Sequence, residues 1–138
     1  MLVDTNVFLA ARTRQESGHA ASRRFLDAVD DGRFEALVSV LTLAELRAGF
    51  TTAQIPALWT PFLSHLRASR SYSVEPVDES ISLLGGELRG STGLTLPDAL
   101  ILATAQLRGA ELVATQDLEL LRAKGPVVSK RPDDIVRD

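Results

Sequence analysis

The segment Ala99–Ala105, read Ala-Leu-Ile-Leu-Ala-Thr-Ala, is apolar around its whole circumference when wound as a helix. Such a helix has no solvated face, so other elements must bury it on every side. The covering elements are legible in short apolar runs bounded by turn residues. Met1–Val3, Ala36–Val40, Tyr72–Val77, Glu111–Ala114 and Pro126–Ser129 read as strands. Their apolar character is continuous rather than alternating, which is the pattern of strands covered on both faces. Helical periodicity fills the gaps. Ala21, Phe25, Ala28 and Val29 share one face, and Ile55, Leu58, Trp59, Phe62, Leu63 and Leu66 share another. Pro61 interrupts the latter run, so a fresh helix capped by Thr60 fits it equally well. Ile81, Leu84 and Leu88 mark a further helix, expected to stop at Gly90 to Gly93. Strands alternating with helices predict an α/β domain, with a central parallel sheet in three α/β/α layers.

The chain has 138 residues, the length of one ordinary domain, and we expect residues 1–138 to form a single one. At that size roughly two-thirds of the unfolded surface is buried, enough to fold without staples. With no cysteine, disulfides, thiolate metal sites and cysteine nucleophiles are excluded. Any metal must therefore be held by oxygen or by the two histidines. The opening MLVDTNVF reads as a strand and its turn rather than a secretory signal. No run approaches the ~18 apolar residues of a membrane-spanning helix, and the expected compartment is the cytoplasm. The net charge of −3 argues against coating nucleic acid by bulk positive charge.

Ligands of open parallel sheets bind beyond the carboxyl ends of the strands, and four acids fall where those ends are expected. Asp4 ends the first strand, Glu45 opens the helix after the second, Asp98 opens the buried helix, and Asp117 follows the fourth strand. Each has a structural reading as well. Thr42-Leu43-Ala44-Glu45 and Thr95-Leu96-Pro97-Asp98 both fit the capping box. Asp117 can cap Leu118–Arg122, and Asp4 can form an Asx-turn. The conjunction adds something. Asp4 and Asp98 lie close to the core, where an unpaired carboxylate is costly. Two carboxylates about 4 Å apart repel by on the order of 1–4 kcal/mol, so a cluster asks for a cation. Oxygen donors alone point to a hard ion, Mg²⁺ or Mn²⁺. Such ions suit phosphodiester hydrolysis, one activating water and the other stabilising the leaving oxygen.

At these residues the chain resembles the PIN-domain family, and within it the VapC-type ribonuclease toxins of type II toxin–antitoxin systems. The resemblance rests on the hydrophobic strand ending in Asp4-Thr5-Asn6, on Leu41-Thr42-Leu43-Ala44-Glu45-Leu46 with Gly49, and on Leu96-Pro97-Asp98-Ala99-Leu100-Ile101 running into Ala103-Thr104-Ala105. Thr115 standing two residues before Asp117 completes it. Order and spacing match over essentially the whole chain. The resemblance implies one or two Mg²⁺ or Mn²⁺ ions ligated by Asp4, Asp98 and Asp117. Glu45 would complete the site, and Asn6 and Thr115 would hold the carboxylates by hydrogen bonds. It further implies endonucleolytic cleavage of RNA, a homodimer, and a cognate antitoxin whose tail covers the cleft. The chain departs from many relatives after the fourth acid, where an Asp and an aromatic give way to Glu119 and Leu120. Glu119 either stands in as an acid at or beside the metal site or is an ordinary solvated helix residue, the reading preferred here.

Other residues are weighed in the same way. All basic residues but Lys124 and Lys130 are arginine. Arg12 and Arg14, with Arg23 and Arg24, follow Asp4 and suit contacts to RNA phosphates, or else salt bridges to nearby acids. His19 and His65 lack partners at metal-ligand spacing. Trp59 and Phe62 read as core or dimer-interface residues. Two other functions remain in view: a receiver-like signalling domain that gathers acids around Mg²⁺, and a PIN scaffold that binds without cleaving. The first requires paired acids after the first strand, which Asp4 lacks; the second sits poorly with all four acids being present.

Overall fold

Residues 1–137 are described by the computed structural model; Asp138, the last residue of the expected domain, lies outside the described residues. The elements run β1 (Leu2–Val3), α1 (Thr5–Arg12), α2 (His19–Asp30), β2 (Ala36–Ser39), α3 (Val40–Thr52), a 3₁₀ turn (Pro56–Leu58) and α4 (Trp59–Ala68). They continue with β3 (Tyr72–Glu75), α5 (Glu79–Thr92), α6 (Leu96–Leu107), β4 (Leu112–Ala114), α7 (Leu118–Arg122), β5 (Val128–Lys130) and α8 (Pro132–Arg137). All five strands pair in parallel, in the order β3-β2-β1-β4-β5. The chain builds outward from β1 through β2 to β3, then crosses back to place β4 on the other side of β1. The crevice of such a sheet opens where the order reverses, between the carboxyl ends of β1 and β4.

Successive strand residues face opposite layers, and the burial follows that alternation. Val3, Ala36, Val38 and Ala114 pack into one core with Val7 and Phe8 of α1, Phe25 and Val29 of α2, Leu46 of α3, Leu66 of α4 and Ile135 of α8. Leu2 and Val113 face the other core, with Ile101 and Ala105 of α6 and Leu120 of α7. This is the expected three-layer α/β/α arrangement. Covered on both sides, β1, β2 and β4 have no reason to alternate in polarity, whereas the edge strands β3 and β5 hold no fully buried residue. Each fully buried Leu or Ile contributes about 1.5–3 kcal/mol.

The helix expected to be buried all round is α6. Ala99, Ile101, Ala103, Thr104 and Ala105 are buried and Leu100 and Leu102 half-buried. Thr104 is tolerated there because its hydroxyl donates to Leu100 O at 2.8 Å. On its far side α5 approaches closely: a methyl group at the buried Gly85 would meet the Leu100 side chain.

Helix α5 ends within the expected Gly90 to Gly93 stretch: it runs to Thr92 and stops where Gly93 turns left-handed at φ 75°, a conformation that suits glycine. Two local expectations need correction. Helix α4 carries Pro61 in its first turn, but Leu58 rather than Thr60 precedes it as the cap, with the 3₁₀ turn leading in. Glu45 does not open its helix: Ser39 caps α3, its hydroxyl accepting from Leu41 N at 3.1 Å. The sequence Thr42-x-x-Glu45 is therefore mid-helix, and its apparent capping box is not one. Among the described residues no helix is long and apolar enough to cross a membrane.

Candidate active site

Asp4 sits at the switch point because β1 is only two residues long and its next residue caps α1. The Asp4 backbone N–H donates to Ala114 O of β4 at 3.0 Å, and its Oδ1 accepts from Thr5 N at 2.8 Å. On Oδ2, the Thr115 hydroxyl donates at 2.8 Å and Asn6 Nδ2 at 3.1 Å. A carboxylate offers about four lone-pair positions, so one position on Oδ1 remains open. Asp4 is 6% exposed. Burial pushes its carboxyl up from 3.8 to about 6, against the pull of Thr115 and Thr5, with Asp98 and Glu45 adding to the rise.

Thr115 and Asn6 hold this array from the β4 side. The Thr115 hydroxyl gives its proton to Asp4 and accepts from Asn6 Nδ2 at 3.2 Å and from Asp117 N at 3.0 Å. Its one donor and two acceptor positions are thereby filled. Asn6 Oδ1 accepts from Gln116 N at 2.9 Å. The β4–α7 turn is thus tied to the start of α1, and Asp117 caps α7 with Oδ1 accepting from Glu119 N at 2.7 Å.

Glu45 reaches the site from the second turn of α3. Its Oε1 accepts from the buried Thr5 hydroxyl at 2.8 Å, and Thr5 Oγ1 also lies 3.1 Å from Thr42 Oγ1. A hydroxyl has one proton, so when Thr5 donates to Glu45, Thr42 must donate to Thr5. Asp98 heads α6 beside its cap Thr95, whose hydroxyl accepts from Asp98 N at 3.4 Å. Because α6 leads directly into β4 and runs against it, its first turn lies at the carboxyl end of the sheet. Burial raises the Asp98 carboxyl above its ordinary value, and Asp117, Glu45 and Glu119 add to the rise.

The four expected acids therefore act on one another across a single crevice, with Glu119 at its rim. No arginine or lysine is ion-paired to them among the described residues. Nor do any three acids or histidines among those residues close to ligation distance. The acids still repel one another across the crevice, with Glu45 exposed and Asp98 and Asp117 half-exposed. The donor chemistry fits a hard divalent ion: all oxygen, net anionic, with an open position on the best-held carboxylate.

Sequence reasoning missed Thr5, Thr42 and Gln116. Thr5 stood between two assigned residues, and the acid 40 positions downstream gave no sign of bonding to it. Gln116 Nε2 donates to the fully buried Ser22 Oγ at 3.1 Å, joining the site to α2. Arg24 does not join the arginines near the site, because Asp133 of α8 holds it at 2.8 Å. Arg12, Arg14, Arg23 and His19 line one cleft. His65 pairs with Asp30 at 2.9 Å. Trp59, half-buried, packs edge-on against Phe50 at 5.5 Å between ring centres and is part of the core margin.

Comparison with known proteins supports the same frame. The family model described as PIN domain matches residues 1–126. A toxin–antitoxin complex from Klebsiella pneumoniae contains a chain 26% identical, matched over 92% of this chain and 94% of that one with a TM-score of 0.70. FitAcB from Neisseria gonorrhoeae is similar at 23% identity, 95% and 96% coverage and TM-score 0.70. VapBC2 from Rickettsia felis, bound to a DNA fragment from its promoter, is similar at 16%, 94% and 96%, and 0.72. No curated protein matches the chain. The receiver-like alternative is set aside, and by the match over residues 1–126 the chain belongs to the PIN-domain family.

Proposed function

We propose that this protein is a divalent-metal-dependent endoribonuclease, the VapC-type toxin of a toxin–antitoxin pair. One observation supports the reading most directly. Asp4 is a buried carboxylate fixed by three hydrogen bonds, raised by two further acids, and left without a basic partner. A bound cation at this crevice would offset that cost, which is why the carboxylate supports the reading. Asp4, Asp98 and Asp117 would hold Mg²⁺ or Mn²⁺, as one or two ions, and Glu45 would complete the site. When bound, the metal supplies activation of water and charge neutralisation at a phosphodiester. The chain's own residues do the placing: Thr115 and Asn6 fix Asp4, and Thr5 orients Glu45.

The relatives support an antitoxin partner. The Klebsiella pneumoniae structure is a toxin–antitoxin complex, and an antitoxin covering the crevice of this chain is proposed by likeness to it. A homodimer acting in the cytoplasm as one PIN domain is proposed from the family resemblance. The test is incubation of the purified chain with mixed structured RNAs and Mg²⁺ or Mn²⁺. Specific cuts that vanish with EDTA and with Asp98→Asn are expected. Cleavage surviving Asp98→Asn would overturn the site, and intact RNA throughout would favour a binding-only domain.

A further inference from the structure

The strongest feature outside the acid cluster is a cationic cleft formed by the end of α1, the turn after it and the start of α2. Arg12, Arg14, His19 and Arg23 line it with Ala11, and no acid does. In a chain of net charge −3, three guanidinium groups concentrate positive charge in this cleft, although Arg12 and Arg23 also border a cavity that holds Asp27 and Asp30. These groups are poorly used internally. Arg14 makes no hydrogen bond or ion pair among the described residues. Arg12 lies over the Phe50 ring at 4.2 Å from its centre, which fixes the guanidinium plane and leaves its N–H groups unclaimed. Arg23 has only a 3.7 Å contact to Asp27, both side chains more than half exposed, a pair of little worth. His19 Nδ1 donates to Ala10 O at 2.8 Å, leaving Nε2 as the atom available to a ligand. Arg24, next in sequence, is by contrast tied to Asp133.

Position gives the cleft its meaning. Asp4 caps the first turn of α1 and Arg12 is its last residue. Eight residues at ~1.5 Å each put the cleft about 12 Å from the acids along one rigid helix. A polyanion crossing the acid crevice would meet repulsion there and attraction at this distance, which fits a chain whose charges repeat.

We infer that this cleft binds the phosphodiester backbone of RNA a short distance from the bond that is cut. The inference rests on the nuclease reading above, and names where that substrate is held. Arg12, Arg14 and Arg23 contact phosphate oxygens and set register, without reading sequence. An acidic protein segment is the competing occupant. Repeating negative charge, long enough to lie in the cleft and reach the acid crevice, favours RNA.

The test is fluorescence anisotropy of a labelled mixed-sequence 12-nucleotide single-stranded RNA, in EDTA so that nothing is cut, over a series of salt concentrations. For single strands the slope of log affinity against log salt falls by ~0.7 for each phosphate that is no longer neutralised. The triple variant Arg12→Ala/Arg14→Ala/Arg23→Ala is expected to lower the slope by about 2 and affinity roughly tenfold at moderate salt. The matching triple lysine variant keeps the slope. A charge-matched control, Arg33→Ala/Arg67→Ala/Arg70→Ala, alters arginines near the amino ends of β2 and β3 and leaves the slope unchanged. An unchanged slope in the cleft variant, or an equal fall in the control, overturns the inference. So does unchanged RNA binding with lost binding of polyglutamate, which would assign the cleft to an acidic protein. A slope that falls as expected in a chain that cuts no RNA would sustain the cleft and remove the nuclease reading.

Discussion

The Thr115 hydroxyl donates to Asp4 Oδ2 at 2.8 Å, joining two residues 111 positions apart across the β1–β4 junction. Thr115 also accepts from Asn6 and from the Asp117 backbone, so one small side chain aligns three members of the site. Thr115→Ala would leave two donors and one carboxylate oxygen short of a partner in a buried setting. A loss of about 1–3 kcal/mol of stability is expected, read as a lower melting temperature. Turnover should fall more than apparent substrate affinity, because the acids lose their alignment while the cationic cleft is untouched. Thr115→Ser keeps the hydroxyl and should restore most of both.

The pH response of the metal-free chain follows from Asp4. Its folded value, about 6, stands above the unfolded 3.8, so the folded state binds the proton more tightly. Its contribution to stability is fully present below about pH 4 and is lost as pH rises through 6. Two units correspond to about 3 kcal/mol. Carbon NMR titration of the side-chain carboxyls in EDTA should show one Asp midpoint near 6, absent from Asp4→Asn. Replacing the EDTA by excess diamagnetic Mg²⁺ should depress that midpoint, since the ligand must be ionised to bind. A midpoint at the ordinary Asp value would contradict the burial argument.

Gly18 and Gln116 make a second checkable contact. Gly18 precedes α2 at φ 81°, and a methyl group there would run into the Gln116 carboxamide. Gly18→Ala carries a left-handed backbone cost of roughly 1–2 kcal/mol plus the collision. Melting should fall accordingly. In the Gln116→Ala background the collision disappears and the backbone cost stays, so the two changes should combine to less than their sum.

The layers of this fold were legible because both rules that reveal them are local. Continuous apolar runs at Ala36–Val40 and Glu111–Ala114 marked doubly covered strands, and Ala99–Ala105 marked the helix between layers. The cap residues Thr95 and Asp117 were legible for the same reason, since a cap is decided within three residues. Glu45 shows the limit. Thr42 through Glu45 satisfies the capping pattern, yet Ser39 captured the helix start because β2 delivers it in extended conformation with its hydroxyl on Leu41 N. What the sequence could not carry was direction. That α6 runs toward the amino end of β4, bringing Asp98 to the same crevice as Asp4, depends on the crossover of the whole sheet. The partnerships of Thr5 with Glu45 and Gln116 with Ser22 likewise span 40 and 94 positions, beyond any periodicity.

The claim beneath all of this is that the acids of the crevice form one divalent-ion site. Titration of the purified chain with Mn²⁺, followed by calorimetry and by melting temperature, tests it without reference to any RNA. Saturable binding that raises the melting temperature is expected for the wild type, with a loss of ~10-fold or more in affinity for Asp4→Asn and for Asp98→Asn. Equal Mn²⁺ binding by all three proteins, or none by the folded wild type, would contradict the account.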